Sequence, residues 1–357
     1  MQSTIIFAPN VNAGGGLVLL LDLVRSLPLS ANNVLFLDQR IRSQIEPITE
    51  ECTLFWVQRT LLGRLACERK LQKLATSHHQ ILCFHGIPPV FECKGNVSVY
   101  VQNRLLLGSL KEYGFPWRVR LRLLYEKLVL NRGHNKVTRF FVQTETMADI
   151  LNTWLDRKRK RMDGHRPRVI VAPFSNSISA STPKTTKESS NETVYDFCYV
   201  ADGQPHKNHS TLFAALRILA NENIFPRIAI TLGDNAGSIL SEVANLQTVN
   251  QIKIENIGMI QHDSVIRLYE CSRALIFPSL VESFGLPLIE ASQLGLPIIA
   301  GELNFVRDVC SPAETFDPTS PRSIALAMKR FLKLTNPPRP IMSAEEFLLE
   351  WQKLDRR

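Results

Sequence analysis

The chain has 357 residues, 45% of them hydrophobic, and a net charge of +9, which is enough apolar material for two ordinary domain cores. Its longest apolar run near the N-terminus is Leu17–Leu21, closed by Asp22. That run is far short of the roughly 18–20 residues that span a bilayer, and no basic start, apolar stretch and small-residue cleavage site suggest a secretory leader. The cysteines number seven with no C-x-x-C pair, which excludes a patterned disulfide or metal framework and points to free thiols in a reducing compartment.

Along the chain, short β-rich runs alternate with longer helical ones. Thr4–Ala8, Val34–Asp38, Leu54–Val57, Ile81–Phe84, Val97–Val101, Arg139–Val142 and Arg168–Ala172 read as strands. Leu17–Ser26, Leu61–Ser77, Pro116–Leu130 and Thr144–Trp154 read as helices. Such alternation predicts a parallel sheet covered on both faces. Ser175–Thr193 is almost wholly polar and has no apolar periodicity, so it reads as a linker. The alternation then restarts, with strands at Tyr195–Ala201, Arg227–Leu232, Lys253–Ile257, Ala274–Phe277 and Pro297–Ala300. Helices are expected at Ser210–Asn221, Ser264–Cys271 and Pro287–Leu294. The expected organisation is a first domain over 1–174, a linker over 175–193, a second domain over 194–340 and a C-terminal helix over 341–357. Two such α/β units fit a pair of doubly wound sheets facing a cleft.

The most informative segment is Phe277-Pro-Ser-Leu-Val-Glu-Ser-Phe-Gly-Leu-Pro-Leu-Ile-Glu290. A strand ends at Phe277, and Gly285 and Pro287 open a helix. Pro287 suits a first helical turn, where its missing N–H would have no partner. The amides of Phe284, Gly285 and Leu286 are then free to meet an anion, which the helix dipole also favours. Glu282 stands in the loop and Glu290 eight residues on, so the segment is an anion-binding helix start flanked by two carboxylates; ordinary solvated glutamates fit the same pattern. Asn12-Ala-Gly-Gly-Gly16 follows the first strand and opens an apolar helix, as a phosphate-facing turn or simply a tight one. It is neither a P-loop nor a dinucleotide fingerprint. His85 follows the strand Ile81–Phe84, and Gln102-Asn103 follow Val97–Val101, at the strand ends where open α/β sheets bind ligands. No Asp-x-Asp occurs, nor any His/Cys cluster with ligand spacing.

The region from about Tyr199 to Pro318, roughly a third of the chain, resembles the retaining glycosyltransferases of family 4 with their E-x7-E signature. The resemblance rests on several motifs in order: Pro205-His-Lys-Asn-His209, Ile257-Gly258, Leu268-Tyr269, Phe277-Pro278-Ser279 with Glu282 and Glu290, and Phe316-Asp317-Pro318. It implies a GT-B fold of two Rossmann-like domains. It also implies transfer of a sugar from a nucleoside-diphosphate sugar to a glycan or lipid-linked acceptor, in cell-surface polysaccharide or lipopolysaccharide synthesis. By the same resemblance Glu282 and Lys207 carry catalysis, with Glu282 by the transferred sugar and Lys207 on the pyrophosphate. Glu290 holds the ribose. Ser283, Phe284, Gly285, Leu286, Gly258, Gly15 and Gly16 complete the donor site, and His85, Gln102 and Asn103 face the acceptor. No cofactor and no metal are expected, helix amides and Lys207 stabilising the leaving group instead. Many relatives carry an arginine where Asp202 stands, so a second basic clamp is not evident, and His206 or another group is the candidate substitute. A nucleotide-sugar epimerase of the same fold, or a non-catalytic binding protein for sugar nucleotides or anionic lipid, are the rival readings.

Residues 1–170 hold 25 Lys and Arg against 13 Asp and Glu, a net +12, while the remainder carries −3. Arg118, Arg120, Arg122 and Lys127 mix with apolar residues on the helix expected at Pro116–Leu130, and Trp154-Leu155 precedes the run Arg157–Arg161. A basic amphipathic surface of this kind suits an anionic membrane or a solvated face. No recognition module for nucleic acid is visible. The expected location is the cytoplasm, peripheral at the inner face of the plasma membrane.

Overall fold

Strands rich in β-branched and aromatic residues, most of them followed by a helix, pair in parallel because each crossover returns the chain to the same end of the sheet. A computed structural model describes residues 3–27, 32–46, 52–108, 115–158, 166–175 and 194–334. Most of the expected linker, the expected helix at 341–357 and Arg159–Arg161 lie outside the described residues.

The first half builds a seven-stranded sheet from β1 (Ser3–Ala8), β2 (Val34–Asp38), β3 (Thr53–Val57), β4 (His79–Cys83), β5 (Asn96–Tyr100), β6 (Arg139–Val142) and β7 (Arg168–Val171). Their order is β3-β2-β1-β4-β5-β6-β7, and every pairing is parallel. The helices are α1 (Gly14–Arg25), α2 (Arg42–Ile45), α3 (Leu61–Leu74), α4 (Trp117–Gly133) and α5 (Glu145–Lys158). Alternation along β1 sends Ile5 and Phe7 into the core on one face and Ile6 and Ala8 into that on the other, so the strand reads as continuously apolar.

The second half builds a six-stranded parallel sheet from β8 (Phe197–Tyr199), β9 (Ile228–Ile230), β10 (Ile254–Asn256), β11 (Leu275–Phe277), β12 (Ile298–Gly301) and β13 (Glu314–Phe316), ordered β10-β9-β8-β11-β12-β13. Its helices are α6 (His209–Asn221), α7 (Gly237–Thr248), α8 (His262–Glu270), α9 (Leu286–Gln293), α10 (Asn304–Arg307) and α11 (Pro321–Phe331). Leu212, Leu216 and Leu219 of α6 share one core with Ile324, Ala327 and Met328 of α11. The elements absent from the sequence reading are α2, α7, α10, α11 and β13. The expected strand Tyr195–Ala201 shrinks to Phe197–Tyr199, with Tyr195 held in an isolated bridge to Ser272.

In each sheet the strand order reverses beside the first strand, between β1 and β4 and between β8 and β11. The crevice outside the carboxyl ends at such a switch point is where open α/β sheets bind ligands. The loops and helix starts after β1, β4, β5, β8 and β11 carry every expected site residue except Gly258, which follows β10.

Candidate active site

The chain turns from β11 into α9 through Gly285, whose φ of +72° and 3.0 Å clearance between a built Cβ and Leu288 demand glycine. Pro287 sits in the first turn of α9. Among the described residues, no acceptor pairs with the amides of Phe284, Gly285 or Leu286, so the positive end of the helix presents unpaired donors. Further along α9, Glu290 is 7% exposed. Its Oε2 accepts a hydrogen bond from the Tyr269 hydroxyl at 2.9 Å, and its Oε1 lies 3.0 Å from His262 Nε2. The bond to Glu290 raises the His262 pKa above its ordinary value, against the opposing effect of burial. His262 is the partner that sequence reasoning missed, since nothing at the start of α8 announces a contact 28 residues away.

Lys207 closes a 3-10 turn at Pro205–Lys207, and its Nζ meets Glu282 Oε1 at 2.6 Å. The two expected catalytic residues are therefore a mostly buried ion pair. Around them the loops after β8, β11 and β13 are tied together. Leu280 N donates to His206 O at 2.8 Å. The Tyr199 hydroxyl donates to Lys207 O at 2.5 Å and lies 3.2 Å from Ser279 Oγ. Asn208, buried and left-handed at φ 63°, donates from Nδ2 to Pro278 O at 3.0 Å and to Pro318 O at 2.7 Å. Asp202 makes a local turn, its Oδ1 accepting from Gln204 N at 3.2 Å. His206, beside Lys207, is held toward its neutral form. Burial first, then Lys207, lowers its pKa, and the ring packs beside Phe115 at 6.1 Å. His209 is likewise kept neutral, pushed down to about 4 by burial and then by Lys207.

The first half closes the cleft from the other side. Gly14 turns the chain at φ +64°, and α1 begins there with its N-terminus toward that of α9, so that a Cβ on Gly15 would lie 3.6 Å from Leu286 Cδ2. A Cβ on Gly16 would lie 3.1 Å from Gln102 Oε1. Gln102 Nε2 donates to Phe84 O at 3.0 Å, and Gln102 O accepts from Ser283 Oγ at 2.5 Å, a direct bond between the halves. The Thr146 amide, in the first turn of α5, donates to Asp308 Oδ2 at 3.0 Å, and Phe284 packs into the core that contains Phe84 and Tyr100. Asn103 Oδ1 caps the next turn by accepting from Leu105 N at 3.0 Å.

His85 is differently placed. Its Nδ1 lies 3.1 Å from Phe7 O and its Nε2 2.8 Å from Arg64, which Glu68 in turn holds at 3.0 Å. Burial and the Arg64 guanidinium keep its pKa well below the usual histidine range. The neutral ring donates through Nδ1 and accepts through Nε2, and His85 does not line the interdomain pocket. That pocket, about 190 Å³, is walled by Gln102, Asn103, Arg104, Phe115, Val119, Arg122 and Leu123 from the first half and by Gln204, His206, Val281, Glu282 and Ser283 from the second. Among the described residues, Arg104 and Arg122 of the other domain line the same pocket as Glu282. Gly258, at φ +75° after β10, has open space where its Cβ would stand.

Two parallel α/β domains facing each other at their switch points define the GT-B fold, and this chain has it. The crystal structure of Anabaena Alr3699/HepE in complex with UDP-glucose superposes with a TM-score of 0.66 at 15% identity, over 92% of this chain and 90% of that one. Sucrose-phosphate synthase from Thermosynechococcus elongatus superposes with a TM-score of 0.66 at 13% identity, over 93% and 90%. Residues 182–344 match the family described as glycosyl transferases group 1. The chain is also similar to the serotype-specific mannosyltransferase WbdA of Escherichia coli, 28% identical over 210 residues, 55% of this chain and 25% of that protein. It is 26% identical to O-antigen chain mannosyltransferase B of Escherichia coli over 118 residues, 32% of this chain and 30% of that protein. The matches span only a quarter of the first relative and under a third of the second.

Proposed function

We propose that the chain transfers a hexose from a nucleoside-diphosphate sugar to a glycan or lipid-linked acceptor in cell-surface polysaccharide synthesis, with retention of anomeric configuration. The observation that carries this reading is the convergence of two helix N-termini, α1 at Gly15 and α9 at Leu286, beside the Lys207–Glu282 pair. Two positive helix ends and an ammonium make a diphosphate site without a metal. Similarity to mannosyltransferases and to a structure bound to UDP-glucose supports the same donor class.

In this reading the helix amides and Lys207 take the diphosphate, Glu290 takes the ribose and Glu282 lies beside the sugar. The anomeric C–O bond of the donor breaks, the acceptor oxygen bonds to that carbon on the same face, and the acceptor proton passes to the departing phosphate oxygen. Gln102 and Asn103 orient the acceptor, while His85, bonded through both ring nitrogens, positions the strand end without exchanging a proton. The test is incubation of the full chain with radiolabelled GDP- and UDP-hexoses, with and without a membrane extract. Label moving to a glycan or lipid supports transfer. Acceptor-free conversion of the donor would identify an epimerase, and binding without turnover would identify a carrier.

A further inference from the structure

Helix α4 has two apolar sides. Leu123, Val129 and Leu130 face inward and are buried. Trp117, Leu121, Leu124 and Leu128 are spaced i, i+4, i+7, i+11 and form one outward row, about 17 Å long. Trp117 is 66% exposed and Leu121 57%. Arg118, Arg120 and Arg132 are exposed on the flanks of this row, and among the described residues no carboxylate lies within ion-pair distance of them. A solvated face does not keep four large apolar side chains in register. A row of them rimmed by guanidinium groups lets the apolar residues enter the acyl boundary while the cations meet lipid phosphates.

We infer that the outer face of α4 docks the protein on an anionic membrane surface. The charge of the first half, +12 over residues 1–170, matches such a partner. Helix α5 does not offer the same face, because Leu155 is buried and Trp154 packs against His134 at 5.4 Å, which leaves Arg157 without an apolar row. The cleftward side of α4 carries Val119, Arg122 and Leu123 into the pocket wall opposite Glu282.

The experiment is sedimentation of the full chain with phosphatidylcholine vesicles, with or without phosphatidylglycerol, read together with the emission of Trp117. Wild type is expected to pellet with the anionic vesicles and to show a blue shift that Trp117→Phe removes. Leu121→Ser with Leu124→Ser, and separately Arg118→Glu with Arg120→Glu, should each weaken partitioning by roughly tenfold or more. All four positions are exposed, and circular dichroism checks that the variants fold. Failure of wild type to pellet, or unchanged pelleting by both double variants, overturns the proposal. A vesicle-free dimer that the leucine variant dissociates also overturns it, by assigning the face to a second copy of the chain. Nucleoside-diphosphate binding is measured without vesicles in parallel. Its absence would sink the transfer reading and leave the docking result standing, whereas failure on vesicles alone sinks only the docking.

Discussion

The two halves hold their cleft-facing groups by different means. In the second half the site residues are locked by side chains: Tyr199 on the Lys207 carbonyl, Asn208 across two loops, and Tyr269 and His262 on Glu290. In the first half the cleft is lined by a glycine turn and by Gln102 and Asn103, which spend their side chains on nearby backbone. A rigid, hydrogen-bonded shell suits a ligand whose phosphates and ribose must be held in one place. A wall whose side chains are tied mainly to their own half leaves room for variation at little cost. Under the proposed reaction the second half holds most of the donor and the first half faces the acceptor, and substitutions can break or sharpen that division.

The largest effect is expected from Glu282→Ala. If its carboxylate lies where charge develops as the glycosidic bond breaks, kcat should fall by roughly 10- to 150-fold, the worth of about 1.5–3 kcal/mol in a charged hydrogen bond. Glu290→Ala should instead raise the donor KM with little change in kcat, because ribose contacts alter little during reaction. Steady-state kinetics on folded variants that return the opposite pattern would exchange the two roles. Lys207→Ala comes next. Calorimetry should show nucleoside-diphosphate affinity falling about tenfold more than nucleoside affinity, since an ammonium contributes to phosphate alone. An equal loss for both ligands would place Lys207 elsewhere in the site.

A smaller effect concerns pH. The folded-state pKa of His262 is raised by Glu290, so the stability it adds is complete below the unfolded histidine value of about 6.5 and is lost as pH rises through the folded value. His262 is 40% exposed, so solvent screening limits this to a Tm change of a few degrees at most. Thermal denaturation between pH 5.5 and 8.5, at roughly half-unit steps across the window, should show wild type losing more on the alkaline side than His262→Gln. Parallel curves would remove the coupling. The smallest expected effect is none: transfer should survive EDTA if, as proposed, helix amides and Lys207 meet the diphosphate. Activity lost to chelator and restored by magnesium or manganese would contradict that.

Much of the fold was legible because parallel strands buried on both faces announce themselves as apolar runs, as β1, β2 and β11 do. Helix α11 was missed although Ser320 caps it by accepting from Ser323 N and Pro321 opens it; its apolar set, Ile324, Ala325, Ala327 and Met328, is short and follows the last strong motif. The segments of the second-half cleft were legible as an ordered set, but their pairings were not. Ser283 meets the Gln102 carbonyl 181 residues away and Lys207 meets Glu282 75 residues away, and no local pattern encodes such distances. His85 illustrates the converse. Its place after β4 suggested a cleft role, while Arg64, one helix earlier in the chain, already occupies its Nε2.

Asn208 answers to two demands at once. Its backbone at φ 63° admits few side chains, and its amide must offer both hydrogens, one to Pro278 O and one to Pro318 O. Glycine keeps the conformation and loses both bonds. Aspartate keeps the conformation and the shape but turns an oxygen toward two carbonyls, so attraction becomes repulsion. Glutamine keeps the chemistry and overshoots the distance. Of the twenty side chains, asparagine alone satisfies both conditions, and the tolerance of the cleft to mutation narrows to a single choice at this position.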